Sequence, residues 1–133
     1  MSERRYTFSW DTIGENLKIA RPALGDTVRV EMYRLLQYTL RDILEEKYDH
    51  KMADELFRLA GAMAGKEFYK KFCKNCTDIA SLITALESNF KVMGIGLLRV
   101  EEVNLETMTL TLNLEEDLDC SGLPDTNGQI CVY

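Results

Sequence analysis

Apolar residues recur at helical spacing through the first two thirds of this chain and at every second position near its end. Val28, Met32, Leu35, Leu36, Leu40, Ile43 and Leu44 share one face of a helix predicted over residues 26–48, entered through Pro22 and Gly25 with Asp26 as its N-cap. The phase is lost around Tyr48-Asp-His50. A second helix is predicted over 52–72 from Leu56, Ala60, Met63, Ala64 and Phe68, and a third over 78–92 from Ile79, Leu82, Ile83, Leu86 and Phe90. After Gly94 the period changes to two: Met108, Leu110, Leu112 and Leu114 alternate with Thr107, Thr109, Thr111 and Asn113. That alternation predicts an antiparallel strand with one face on the core and one in water. Residues 95–103 supply its partner across a tight hairpin at Asn104-Leu105-Glu106.

Helices followed by a hairpin imply an α+β fold, with the N-terminal helices packed on one face of an antiparallel β-sheet. Residues 1–21 carry only a short extended patch, Tyr6-Thr-Phe-Ser-Trp10, and are expected to be weakly structured; residues 22–133 form a single domain. With 133 residues, 46% of them hydrophobic, the chain is long enough for one core, and it contains no internal repeat.

Charge narrows the choice of partner. There are 22 acidic against 16 basic residues, a net charge of -6, which argues against general affinity for nucleic acid or anionic membrane. Lys66, Lys70, Lys71 and Lys74 alternate with apolar residues and read as the solvated side of a helix. The N-terminus has basic residues but no apolar stretch behind them, so it does not read as a secretory signal. No run approaches the roughly 18 apolar residues of a membrane span. The expected compartment is cytoplasmic, where the four cysteines would be reduced thiols or metal ligands.

Several groups invite a chemical reading. Gly61 and Gly65 lie on one helix face, where close helix packing or a ligand would compensate for the missing side chains. Cys73-Lys-Asn-Cys76 has redox or zinc-knuckle spacing, yet it follows a helix instead of opening one, which favours two incidental thiols near a turn. His50 has no second histidine or nucleophile in evident relation to it. Glu115-Glu-Asp117 and Asp119 read as a solvated connection after the strand, with a hard-cation or zinc role as the alternative. Cys120 and Cys131 flank a loop rich in Gly, Pro, Asn and Asp, which can bend two sulfurs toward one ion and so form one edge of a tetrahedral zinc site. No phosphate-binding or dinucleotide motif appears, because Gly94-Ile-Gly96 lacks the third glycine and opens a strand.

Three stretches carry a likeness: Arg34-Leu-Leu, Arg58-Leu-Ala-Gly61-Ala-Met-Ala-Gly65-Lys-Glu-Phe68, and Cys120-Ser-Gly through Ile-Cys131-Val-Tyr133. Together they resemble the 4-vinyl-reductase domain family, also called hydrocarbon-binding proteins, over residues 22–133. In that family a helix and two strands with a second cysteine pair follow the position of Cys131, so the domain is expected to lack its C-terminal part here. The resemblance implies a fold similar to that of trafficking-complex subunits. It also implies Cys120 and Cys131 as zinc ligands, and a non-enzymatic, sensor-type domain that binds a small hydrophobic or aromatic molecule. Phe57, Met63, Phe68, Phe72, Phe90 and Met93 are the candidate pocket residues, since aromatic and thioether side chains suit irregular cavities and the same residues would equally fill an ordinary core. The first long helix, with its broad apolar stripe, is the expected homodimer surface. The rival readings are a protein-interaction scaffold with a self-filled core, and an accessory subunit of tetrapyrrole vinyl reduction. The latter requires a redox cofactor for which the sequence has no motif.

Overall fold

In the computed structural model, which describes residues 3–124, the chain is α+β: four helices and a two-stranded antiparallel sheet, with helices packed on the sheet. A 3₁₀ turn at Trp10–Ile13 and a short helix α1 (Leu17–Ala20) precede three long helices, α2 (Val30–Lys47), α3 (His50–Phe68) and α4 (Ile79–Val92). A π-helical turn, Tyr69–Cys73, extends α3, and the strands β1 (Leu97–Asn104) and β2 (Thr109–Glu115) complete the order. No helix among the described residues is long and apolar enough to cross a membrane.

Helix boundaries follow local chemistry. α2 begins four residues later than the periodicity predicts: Gly25 adopts φ +74, residues 27–29 run outside the helix, and Arg29 occupies the N-cap position without a side-chain cap. Asp26 faces Lys18 at 4.0 Å instead of capping α2. α3 begins at His50, because the Asp49 carboxylate accepts from the Met52 amide at 2.7 Å; His50 is therefore the first helical residue and not part of a free turn. Asp78 and Ser81 form a reciprocal capping box on α4. The helix ends where Gly94, at φ +71, lets its own amide reach the Lys91 carbonyl and the Ile95 amide reach the Phe90 carbonyl.

The hairpin pairs Leu98 with Leu114, Val100 with Leu112 and Val103 with Leu110, with a bulge between Val100 and Glu102. These six apolar residues share one face, whose base packs on α4 through buried Leu98. The opposite face is polar, with Arg99 paired to Glu115 and the Asn113 amide donating to Glu101. The Asn104 side-chain oxygen Oδ1 accepts from the Glu106 and Thr107 amides and so builds the turn. Met108 departs from the predicted alternation: it sits in that turn at φ +55 and is exposed.

α2 turns its apolar stripe outward: Met32, Leu35, Leu36, Leu40 and Ile43 are all exposed, Leu36 to 61%. The inward face instead carries Tyr33, Arg34, Tyr38 and Arg41. Arg41 is buried at 5% exposure; its Nη2 donates to Asp54 at 2.6 Å, with Glu45 at 3.7 Å and the Phe57 ring 6.0 Å away. A buried guanidinium requires such partners, and they fix α2 against α3.

Candidate functional site

The turn that carries Cys120 is held by a dense set of hydrogen bonds. Asp117 organises it locally, one carboxylate oxygen accepting from the amides of Asp119 at 3.0 Å and Cys120 at 2.8 Å, the other from the Ser121 hydroxyl at 3.1 Å. Helix α2 then holds the turn from outside. Arg34 donates through Nε to the Leu118 carbonyl at 2.7 Å and through Nη2 to that of Asp117 at 3.3 Å, a fork that suits a guanidinium. The Tyr33 hydroxyl donates to Asp119 Oδ1 at 2.9 Å, and the Tyr38 hydroxyl to the Asp119 carbonyl at 3.0 Å. From the sheet side, the Leu118 amide donates to the Ile95 carbonyl at 2.9 Å. Residues some eighty positions apart are thereby tied together.

This arrangement corrects the expectation for the acidic segment. Asp117 and Asp119 are half-buried structural acceptors, not a solvated connection. Burial raises the Asp119 carboxyl above its ordinary value; the Tyr33 hydroxyl pulls it back, Asp117 pushes it up again and Arg34 lowers it. Desolvation likewise lifts the Tyr38 phenol, with the Asp119 charge adding to the effect.

Of the two expected zinc ligands, Cys131 lies outside the described residues. Cys120 is half-buried at the end of the braced turn and is disulfide-bonded. The expectation that every cysteine is a reduced thiol or a metal ligand is corrected at that position. Among the described residues no three His, Cys, Asp or Glu side chains converge on a metal-sized site, and the carboxylate oxygens nearest Cys120 are already engaged as acceptors. Tetrahedral zinc would need Cys120 as a thiolate and its other ligands from beyond this turn. Cys73 and Cys76 are free. The Cys73 thiol is buried within the π-helical turn and raised by desolvation, with Cys76 close enough to add charge and a hydrogen bond. A raised thiol is a poor nucleophile.

The candidate pocket residues divide into two groups. Phe68, Phe72 and Phe90 come together with Trp10, which the sequence reading left in a weak N-terminal segment. The Phe68 and Phe72 centroids lie 4.8 Å apart, Phe90 meets Phe68 edge-on at 5.6 Å, and Trp10 meets Phe72 edge-on at 5.2 Å. Phe57 is buried on α3, with the Arg41 guanidinium 6.0 Å from its ring centroid. Met63 and Met93 are each 44% exposed, on the outer side of α3 and at the C-cap of α4. Open grooves are lined by other residues; one of about 830 Å³ runs between the start of α2 and the Cys120 turn, past Val30, Arg34, Asp117, Leu118 and Gly122.

Sequence reasoning missed Tyr33, Tyr38 and Arg41 as organising residues. The signal was present as Arg34, Tyr38 and Arg41 at i, i+4 and i+7, a second coherent helix face opposite the leucines. The chain matches no family model, no curated protein and no solved structure.

Proposed function

We propose that the chain is a non-enzymatic binding domain for a small hydrophobic or aromatic molecule, with zinc held by Cys120 and Cys131 in the reduced protein. The observation that carries the reading is the aromatic cluster of Trp10, Phe68, Phe72 and Phe90, drawn from the N-terminal segment, the α3 end and α4. The half-buried rings of this cluster would offer an apolar ligand aromatic faces and edges to pack on. The braced turn supports the zinc part: a ligand whose backbone is fixed loses less freedom on binding metal.

Trp10 is the single tryptophan, so its emission reports this cluster directly. Titrating the full chain with a series of alkylbenzenes should shift or quench that emission in a saturable way, and Phe72→Ala should weaken the response about tenfold or more, the loss of one aromatic contact. Val92→Ala, at an exposed position far along α4, serves as the control. An emission that ignores every hydrocarbon, together with a native mass equal to the bare polypeptide, would sink the ligand reading. It would favour the second reading, a protein-interaction scaffold, which the exposed apolar faces of α2 and the hairpin support.

A further inference from the structure

The Cys73-Lys-Asn-Cys76 turn has no part in the ligand and zinc readings, yet it brings two thiols together. The π-helical turn Tyr69–Cys73 ends α3, Lys74 keeps helical angles at φ -53 and ψ -34, and the Cys76 amide donates to the Cys73 carbonyl at 3.0 Å. That bond closes a β-turn with the cysteines at its first and last positions, and such a turn holds its outer α-carbons within about 7 Å. A disulfide spans about 4.4–6.8 Å between α-carbons, so the reduced turn already has the reach of the oxidised one. Both thiols are free, and they lie close enough for one to hydrogen-bond the other.

The two sulfurs differ in access. Cys73 is 1% exposed, whereas Cys76 is only half-buried. A disulfide in solution therefore reaches Cys76 first, and Cys73 is confined to attack on a sulfur carried by its neighbour. Burial raises the Cys73 thiol, and the charge and hydrogen bond of Cys76 raise it further. That charge is gone once Cys76 is joined to another sulfur, which eases the second step. Lys71 and Lys74 stand exposed close to Cys73 in the chain, a setting that attracts an anionic small disulfide such as oxidised glutathione.

We infer that Cys73 and Cys76 form a reversible dithiol–disulfide couple, in which Cys76 attacks a small-molecule disulfide of the glutathione class and Cys73 resolves the mixed disulfide. The inference does not rest on the ligand or zinc reading. In the first step the Cys76 thiolate, its proton lost to solvent, bonds to one glutathione sulfur while the glutathione disulfide breaks and its other sulfur leaves as a thiolate. In the second, Cys73 gives its proton to solvent and bonds to the Cys76 sulfur, which expels the remaining glutathione thiolate. Two electrons pass from the cysteine pair to glutathione, and the two leaving thiolates take up protons. Lys74 lies between the cysteines and makes the test direct. The full chain is equilibrated in glutathione buffers of increasing oxidation, and its remaining thiols are alkylated. Trypsin then cuts at Lys71, Lys74 and Lys91 and leaves Cys73 and Cys76 in separate peptides. Mass spectrometry should find peptides 72–74 and 75–91 joined in the oxidised buffers, with alkylation lost at both positions, and dithiothreitol should separate them. Cys73→Ala should leave Cys76 carrying glutathione, with no second thiol to displace it, whereas Cys76→Ser should leave Cys73 reduced and unmodified. Both cysteines alkylated at every glutathione ratio would overturn the inference, and that measurement needs no variant. Glutathione on Cys73 in the Cys76→Ser variant, with circular dichroism matching wild type, would overturn the assignment of roles.

Discussion

Arg34 shows how one side chain can decide where a distant loop sits. Its guanidinium reaches two successive carbonyls, of Leu118 and Asp117, which a lysine could not span with one ammonium. Arg34→Ala should destabilise the fold by about 2 kcal/mol, the scale of charge-assisted hydrogen bonds, and Arg34→Lys should recover only part of this in a urea titration. Asp119 answers to pH instead. Its carboxyl is raised, chiefly by burial, so its contribution is fully present below the unfolded value of about 3.9 and is lost as pH rises through the higher folded value. Asp119→Asn keeps an oxygen for the Tyr33 hydroxyl and removes the charge. The variant should therefore lack this loss, and denaturation midpoints measured from pH 3 upward, beginning at about the lower carboxylate limit, should separate it from wild type. Parallel curves would remove Asp119 as the source.

Among the elements, α4 was legible almost to the residue, because both its ends are written locally: Asp78 and Ser81 close the first turn and Gly94 opens the left-handed exit. Gly94→Ala should cost about 1 kcal/mol, since alanine is strained at positive φ, and open space around the site leaves no clash to add to it. Thermal melts of that single variant test the claim; an unchanged midpoint would mean the exit is not held as described. α2 was legible as a helix, though not which residues its other face would bring inward. Hydrophobic periodicity identifies a face without saying what it meets. Here the opposite face won the interior because Tyr33, Arg34, Tyr38 and Arg41 each found specific partners, in the acidic turn and at Asp54.

At the scale of the whole molecule, the Cys120 turn joins α2, the exit from β2 and the start of β1. Whatever crosslinks this turn acts on all three. Cys131→Ser should lower both zinc content and thermal stability in protein purified under reducing conditions, with metal measured by plasma emission. A stability loss confined to oxidising conditions, with no change in metal, would assign the role to a disulfide and not to zinc.

The sequence by itself determined the α+β class, three long helices and the presence of the hairpin, because periodicity, capping residues and turn chemistry act over a few neighbouring positions. It also marked the phenylalanines of the cluster, though not that Trp10 would join them from the N-terminal segment. Only the tertiary structure decided which face of α2 turns inward and that Asp117 and Asp119 brace a loop. Those outcomes depend on partners some eighty residues away, where the net balance of burial, pairing and desolvation has no signature in local spacing.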